Sequence, residues 1–284
     1  MLSEFTFISV CYNQEDYVVE HLNSIKEQVI RYGDNIEISL IVADDCSKDN
    51  TVLKVQKWID QNTALFKKTL VIKNSSNLGS VKNIYNAIEK CETEQFKILA
   101  CDDCYNESLN IFEIYTKYEN QILITPIAPI VPMSKDSQDI RNYIWSIERD
   151  YKLVQYYTNT KKLGVLLSIR NFLMAPGVFI PSRYWRDSEI KNEILQFKYI
   201  EDYPMWINLF VKKKLKPLIV SSRYIKYRIS LSSRKIDGVL VNDKRKNDYI
   251  KLKEMYTFKI SIYEKIKYYI LKLIFTCKTM ILLH

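Results

Sequence analysis

Residues 96–103, FKILACDD, carry the pattern that decides the fold. The segment is a short apolar run that ends in two aspartates, as a buried strand does when its end lies at a polar site. Similar runs lie at residues 5–12, 36–45 and 69–74. Between the runs, apolar residues recur at helical spacing. The alternation predicts an α/β fold, with a mostly parallel central sheet and helices on both faces.

Polar residues follow each of the four predicted strands. They are Tyr12-Asn13 after the first strand, Asp44-Asp45 after the second, Asn77 to Gly79 after the third, and Asp102-Asp103 after the fourth. Ligands of such sheets bind beyond the carboxyl ends of the strands. The sequence therefore predicts a ligand site at one edge of the sheet.

The second half of the chain has weaker patterns. Residues 175–185 predict a strand or turn entering a helix, residues 199–214 a loop and a helix, and residues 216–230 one or two strands. Residues 126–175 show no regular pattern. We therefore expect this half to be less regular than the first.

Composition narrows the class of protein. The chain has 284 residues, 47% of them hydrophobic and 26% charged, and a net charge of +9, as expected for a folded protein that could bind phosphorylated or anionic partners. Six scattered cysteines and the absence of a signal-like N-terminus favour reduced thiols in the cytoplasm. No uninterrupted apolar run reaches the length of a membrane span.

The CDDC sequence at 101–104 allows several interpretations. A zinc site needs about four nitrogen or sulfur ligands, and only Cys91 lies nearby among the other cysteines and histidines. A redox pair normally opens a helix, whereas this pair ends a strand beside carboxylates that raise thiol pKa values. The aspartates could cap helices, but two pairs at neighbouring strand ends favour a hard divalent cation, Mg²⁺ or Mn²⁺.

The ordered motifs of the chain resemble the family-2 glycosyltransferases of the GT-A fold. The resemblance runs from about residue 5 to about residue 230 and includes FISVCYNQEDYVVEHLNSIKEQ, VADDCSKDNT, NLGSVKNIYNAI, ILACDDCY, APGVF, YIEDYPMW and YIKYRISLSS. It implies a glycosyltransferase domain at 1–230. Residues 1–105 would be its nucleotide-binding half and residues 106–230 its acceptor-binding half, while 231–284 form a basic helical tail.

The resemblance also implies roles for individual residues. Asp103 would hold Mn²⁺ or Mg²⁺, Asp202 would be the general base, and Glu201 and Trp206 would lie on the acceptor side. The residues implied to contact the nucleotide sugar are Tyr12, Asn13, Glu15, Asp44, Asp45, Asn77, Lys82, Asn83, Asp102 and Arg228.

Two positions depart from the family pattern. Ala100 stands where many members have a first aspartate of the metal segment, and Ile229-Ser230 follow Arg228 where a histidine is often found. The metal site therefore rests on Asp102 and Asp103.

The implied activity is inverting transfer of a sugar from a nucleotide-diphosphate sugar, in most members a UDP-sugar. The acceptor would be a hydroxyl of a glycan or lipid-linked saccharide, in synthesis of a bacterial surface polysaccharide such as capsule. We expect a metal-dependent hexosyltransferase that works in the cytoplasm at the inner face of the membrane.

The last 26 residues predict an amphipathic helix. Its apolar stripe comprises Ile266, Ile270, Leu273, Cys277 and Ile281, with Ile274 beside it and Lys265, Lys267, Lys272 and Lys278 on its flanks. From Lys244 to His284 there are ten basic and three acidic residues, a net of +7. Such a helix suits an anionic lipid interface. The alternative is packing on the catalytic domain or on a twin subunit, as in a homodimer.

Two other functions are weighed against the enzyme. A non-catalytic glycosyltransferase-like module would bind the membrane or a partner protein, but the presence of Asp103 and Asp202 argues against it. The basic tail could also bind nucleic acid. Its lysines border an apolar stripe rather than form an arginine-rich groove, so we expect no nucleic-acid partner.

Overall fold

The computed structural model describes residues 2–131, 138–229, 243–258 and 260–283. For 243–244 and 278–283 it describes the backbone alone. A sheet of four parallel strands forms its centre, in the order β3-β2-β1-β4. The strands are β1 (Glu4–Cys11), β2 (Glu37–Asp44), β3 (Lys68–Lys73) and β4 (Phe96–Ala100). The predicted α/β fold and parallel sheet are confirmed.

Helices cover both faces of this sheet, as predicted. They are α1 (Val18–Tyr32), α2 (Thr51–Asn62) and α3 (Ser80–Lys90). Phe5 and Phe7 of β1 belong to one buried cluster with residues of α1 and α2, whereas Ile8 belongs to a second cluster with residues of α3. Successive side chains of a strand point to opposite faces, so this continuous apolar run supplies two cores.

The second half adds two small sheets of three strands each. One has the order β5-β10-β7 and the other β8-β6-β9. Their strands are β5 (Cys104–Tyr105), β6 (Leu123–Ile124), β7 (Ala128–Ile130), β8 (Val178–Phe179), β9 (Leu218–Ile219) and β10 (Ile225–Arg228). The two strands that the sequence allowed within 216–230 are β9 and β10.

The helices of this half are α4 (Phe112–Lys117), α5 (Gln138–Asn159), α6 (Leu163–Leu167), α7 (Ser182–Arg186), α8 (Ser188–Ile194) and α9 (Asp202–Trp206). A π-helical turn, Ile207–Lys212, continues α9. The strand that enters α7 and the loop that precedes α9 agree with the sequence prediction.

Helix α5 corrects the expectation that residues 126–175 are irregular. It has 22 residues, and its buried positions are Ile140, Leu153, Val154 and Tyr157. Its apolar residues Ile140, Ile144, Ile147, Tyr151 and Val154 recur at helical spacing, so the sequence does carry the amphipathic pattern. Packing of this face against the rest of the chain stabilises the helix.

The C-terminal helices α10 (Asp243–Met255) and α11 (Ile262–Leu283) pack on the rest of the chain. Leu252 of α10, Tyr256 directly after it and Tyr268 of α11 belong to the larger buried cluster. Lys162 forms an ion pair with Glu264 at 2.6 Å. The part of the predicted tail that the structure describes is thus built onto the α/β core. No described helix is both long and apolar enough to cross a membrane.

Candidate active site

The four parallel strands end together at one edge of the sheet. Cys11 lies beside Asp44, Asp44 beside Lys73, and Val10 beside Ala100 in the strand register. The loops that carry the predicted ligand-binding residues follow these positions directly. The prediction that polar strand ends meet at one edge is therefore confirmed.

The loop after β1 is tied to the loop after β2. Asn13, with a φ of 54°, donates its N–H to Ser47 Oγ at 2.8 Å, and its side-chain oxygen accepts the N–H of Lys48 at 2.8 Å. Asp44 is buried and accepts the N–H of Ser47 at 2.9 Å. Asn tolerates this left-handed backbone better than most residues. Tyr12 remains exposed on the outside of the loop, where a ligand can reach it.

Glu15 supports the start of α2. One of its carboxylate oxygens accepts hydrogen bonds from the side chain and the backbone N–H of Asn50, at 2.8 and 3.2 Å. Its backbone carbonyl accepts a hydrogen bond from Lys54 Nζ at 2.8 Å. The structure thus gives Glu15 a supporting role, and its contact with a nucleotide sugar stays a prediction.

Asp45 organises the loop that follows β3. Its buried carboxylate accepts the N–H groups of Leu78 at 2.7 Å and Gly79 at 2.8 Å, and the side chain of Asn74 at 3.1 Å. Asn77 lies at the same place and donates to the backbone carbonyl of Asp45 at 3.4 Å. Burial of a carboxylate is offset by such charge-assisted hydrogen bonds. Asp45 therefore shapes the predicted nucleotide pocket, whatever else it contacts.

Asn83 lies behind the site. It is only 2% exposed, donates to the carbonyl of Ala43 at 2.9 Å and accepts a hydrogen bond from Asn74 at 2.9 Å. These bonds engage both ends of the amide, so Asn83 supports β2, and its contact with a nucleotide sugar stays a prediction. Lys82, one residue earlier on α3, is exposed and can reach an anionic ligand.

Asp102 and Asp103 form a turn that follows β4. The strand ends at Ala100, earlier than the sequence suggested, because the N–H of Asp103 turns back to the carbonyl of Ala100 at 3.0 Å. Asp103 is 2% exposed, and its carboxylate accepts the backbone N–H of Arg228 at 2.9 Å. Asp102 is half-buried.

This turn suits the binding of a hard cation by its carboxylates better than reactive thiol chemistry at its cysteines. Cys101 and Cys104 are both buried, and burial raises the pKa of Cys101 well above its usual value and that of Cys104 to about 12. Within the described part of the chain, no three metal-binding side chains lie close enough to hold an ion by themselves. Mg²⁺ or Mn²⁺ at Asp103 would therefore need phosphate oxygens and water as further ligands, which both ions accept.

His21 is a residue of the site that the motif comparison missed. It is fully buried on α1, with Nδ1 2.7 Å from the backbone carbonyl of Asp103 and Nε2 2.7 Å from Ser9 Oγ. Burial lowers its pKa to about 4, so the ring is neutral at pH 7. A carbonyl only accepts, so Nδ1 carries the proton and Nε2 accepts from Ser9. The signal in the sequence is a lone histidine on the apolar face of α1.

Arg228 joins β10 to the same turn. Its Nε donates to the carbonyl of Asp102 at 3.0 Å, and its guanidinium lies over the ring of Tyr17 at 4.6 Å. It also pairs with Glu20 of α1. These contacts bring the predicted diphosphate-binding residue next to the aspartates, although it lies more than 120 residues beyond them in sequence.

Glu201 and Asp202 sit at the start of α9. Asn171 donates to one oxygen of Asp202 at 2.8 Å, and the N–H of Tyr203 donates to the other at 2.7 Å. Ser80 at the start of α3 donates to Glu201 at 2.9 Å. Burial and the neighbouring Asp202 raise the pKa of Glu201 to about 7, and burial also raises the pKa of Asp202.

Helix α10 completes the surroundings of this pair. Asp248 is buried and accepts the N–H groups of Lys198 at 3.0 Å and Tyr199 at 2.6 Å, just before the two carboxylates. The positive charge of Arg245 on α10 partly offsets the raised pKa values of Glu201 and Asp202. The predicted tail thus contributes to the electrostatics of the site.

Trp206 lies in the core and not at an acceptor surface. It is 2% exposed and stacks on Phe210 with ring centroids 6.2 Å apart. It belongs to the larger buried cluster, which also contains residues of α3. The burial of Trp206 does not support the prediction that it lies on the acceptor side, and here it packs in the core.

Comparisons with solved structures agree with the fold. The crystal structure of residues 1–349 of Staphylococcus aureus TarS with UDP-GlcNAc matches 88% of this chain and 66% of that chain, at 17% identity and a TM-score of 0.53. The same TarS fragment with UDP matches 93% of this chain and 78% of that chain, at 15% identity and a TM-score of 0.51. These matches support the predicted GT-A-like architecture.

Two curated proteins resemble the sequence. Poly(ribitol-phosphate) beta-N-acetylglucosaminyltransferase TarS of Staphylococcus aureus is 31% identical over 106 residues, which is 37% of this chain and 17% of TarS. Teichoic acid poly(glycerol phosphate) polymerase of Staphylococcus epidermidis is 23% identical over 215 residues, 74% of this chain and 27% of the polymerase. The matches thus span about a quarter or less of these relatives.

The model of the family "Glycosyl transferase family 2" matches residues 6–161. This range contains the loops after all four parallel strands and ends before Asp202 and Arg228. More than half of the chain is matched, and the sequence resemblance is thereby confirmed. The chain belongs to glycosyl transferase family 2.

Proposed function

We propose that this chain is an inverting glycosyltransferase that moves a sugar from a nucleotide-diphosphate sugar, a UDP-sugar in the first instance, to a hydroxyl of a bacterial surface glycan or its lipid-linked precursor. The observation that carries the proposal is a continuous set of contacts at one sheet edge. Asp45 holds Gly79, Ser80 follows Gly79 in the chain and holds Glu201, and Asp202 is next to Glu201. These contacts support a single site in which a nucleotide end and an acceptor end are joined.

The donor would lie across the strand ends. Tyr12 and Lys82 have exposed side chains there, and the loop that Asp45 shapes provides a surface for the base and ribose. A nucleotide diphosphate needs cations beside its phosphates, and Arg228 stands next to Asp102. The similar structure of TarS residues 1–349 was solved in complex with UDP-GlcNAc and with UDP, which supports a uridine-diphosphate donor.

Mn²⁺ or Mg²⁺ at Asp103, when bound, would neutralise charge on the leaving diphosphate. Asp103 would hold the ion through a carboxylate whose position is fixed by the backbone N–H of Arg228. His21 would hold the turn in position through its hydrogen bond to the backbone carbonyl of Asp103. Asp102, half-buried beside it, would lie toward the ribose.

Asp202 would act as the general base. Asn171 and the N–H of Tyr203 orient its carboxylate. Asp202 would take the proton of the acceptor hydroxyl while the oxygen attacks the anomeric carbon. Attack on the face opposite the leaving diphosphate inverts the configuration. A neutral Glu201 beside it, favoured by the raised pKa, avoids a second negative charge and leaves Asp202 as the ionised member of the pair.

The acceptor would be a surface polymer of a bacterium. The curated relatives are named for poly(ribitol phosphate) and poly(glycerol phosphate). An anionic polyol phosphate would suit the net charge of +9 and the position of Arg245 near the two carboxylates. Capsule and other surface polysaccharides fit the same chemistry.

The test is nucleotide release from a panel of nucleotide sugars, with and without Mn²⁺, followed by addition of a polyol-phosphate acceptor. We expect slow release from one donor, stimulated by metal and acceptor. Asp202→Asn should lower acceptor-dependent turnover by about 100-fold or more, the range of a lost general base. Asp187→Asn, at the start of α8, is the matched control and should keep turnover.

A non-catalytic family-2 module is the second candidate. It would bind UDP or the polymer without turnover. Nucleotide release would then be absent from the unchanged chain, and Asp202→Asn would bind the same ligands as that chain. Retention of full turnover in Asp202→Asn would also reject the assignment of the base. DNA or RNA binding in a salt-dependent assay would instead favour the nucleic-acid alternative.

A further inference from the structure

We propose that the outer face of α11 docks on an anionic lipid surface. The face consists of residues Ile262, Tyr263, Ile266, Tyr269, Ile270, Leu273 and Ile274. This interaction needs none of the catalytic chemistry proposed above. It therefore stands or fails independently of the glycosyltransferase assignment.

The opposite face of α11 is already used in folding. Tyr268 is buried with its ring 5.7 Å from Phe172, and Phe275 lies 6.4 Å from the ring of Tyr156 on α5. Glu264 turns to the same side and pairs with Lys162. The helix is anchored by this inner face, so the outer face is not needed to attach it to the protein.

The outer face nevertheless consists of large apolar and aromatic side chains. Each of its seven residues is between 42% and 78% exposed, with Ile262 the most exposed of all. Single exposed apolar residues are ordinary, but a contiguous group on one helix marks an interaction surface. From Ile262 to Ile274 the face spans about 18 Å at 1.5 Å per residue, which suits a helix lying flat on a surface.

The charges beside this face identify its occupant. At 3.6 residues per turn, Lys265 and Lys272 form a lysine row about 110–130° to one side of its centre, whereas the ammonium of Lys267, on the other side, lies over the ring of Tyr156 of α5 at 5.3 Å. Glu264, the one acidic residue in the sequence from 262 to 277, points inward to Lys162, so the border of the outer face carries lysines and no acidic side chain. Flanking lysines can extend to anionic headgroups while isoleucine, leucine and tyrosine enter the interface.

A second copy of the chain fits this face less well. An isologous contact would bring the same lysine rows of two helices together, and like charges across an apolar contact oppose association. An anionic lipid surface attracts those lysines instead. Charge complementarity thus favours lipid over self-association.

The experiment is co-sedimentation of the full chain with vesicles of neutral phosphatidylcholine and vesicles that also contain phosphatidylglycerol. We expect binding to the anionic vesicles that weakens as salt rises. Ile270→Glu and Leu273→Glu should each weaken binding about tenfold or more, as expected for loss of a buried apolar side chain. Lys265→Glu with Lys272→Glu should remove the preference for anionic vesicles.

Leu53→Glu on α2 is the matched control. Leu53 is 67% exposed, against 66% for Leu273, and it is a single exposed large apolar residue on its helix rather than part of an apolar face. This variant should bind vesicles as the unchanged chain does. All variants should keep their circular dichroism and melting temperature, since the altered side chains are exposed.

Two results would overturn the proposal. One is no sedimentation with anionic vesicles at low salt by the intact, folded chain. The other is a concentration-dependent dimer in light scattering that Ile270→Glu abolishes, without vesicle binding, because a second copy would then cover the face. Vesicle binding needs no donor or acceptor, so a failure of the proposed function would leave this test unaffected.

Discussion

Glu201→Gln should stabilise the protein at alkaline pH and have no such effect in acid. Burial and the charge of Asp202 raise the pKa of Glu201 from 4.5 to about 7. A raised folded-state pKa contributes stability that is fully present below pH 4.5 and is lost as pH rises through 7. At 1.36 kcal/mol per pH unit, the loss is about 3 kcal/mol at most. Gln removes the buried charge and should recover that amount at pH 8.

The measurement is urea unfolding of the full chain and of the variant at pH 4.5, 6, 7 and 8. The free energy of unfolding of Glu201→Gln should equal that of the unchanged chain at pH 4.5. As pH rises toward 8, the free energy of unfolding of the variant should exceed that of the unchanged chain by a growing amount. Gln can still pair with the hydroxyl of Ser80, so lost hydrogen bonding should not obscure the difference.

Glu193→Gln is the matched control, with the opposite sign. Burial opposes ionisation of Glu193, but hydrogen bonds from Lys212, Tyr256 and Asn208 outweigh it and lower the pKa. A lowered pKa contributes stability above pH 4.5 that is lost in acid. This variant should therefore be less stable than the unchanged chain at pH 8. The reasoning fails if Glu201→Gln gives the same stability difference at pH 4.5 and pH 8.

Three further perturbations test the site and its support. Asp103→Ala should reduce metal-dependent donor turnover by about 100-fold or more, whereas Cys104→Ser should keep most of it; full turnover in Asp103→Ala would reject the metal assignment. His21→Leu should raise the Mn²⁺ concentration needed for half-maximal turnover, and His21→Asn, whose amide can donate to the same carbonyl, should largely restore it; an unchanged metal requirement in His21→Leu would limit His21 to packing. Trp206→Ala should lower the free energy of unfolding by about 3–5 kcal/mol, measured in urea, because it empties a buried position; a change below 1 kcal/mol would contradict the core placement.

The sequence carried enough information to predict the parallel sheet and the edge at which ligands bind. Alternation of apolar strands with helical spacing is local, and each strand end is marked by the residues that follow it, such as Asp45 and Asp103. Helix α5 was not predicted, although its apolar residues recur at helical spacing. The apolar stripe of α11 was predicted from spacing, but only the structure shows that its described apolar residues from Ile266 to Ile274 are exposed rather than packed on the catalytic domain.

What each polar residue does could be decided only by residues distant in sequence. Asn83 and Trp206 look like ligand contacts in their motifs, yet the assembled core encloses both. Glu201 meets Ser80 across 121 residues, and His21 meets Asp103 across 82. Spacing specifies which way a side chain points on its own element, whereas burial and hydrogen-bond partners depend on which elements pack together. The motifs therefore predicted which chemical groups the site contains, whereas folding decided their burial, their hydrogen-bond partners and their pKa values.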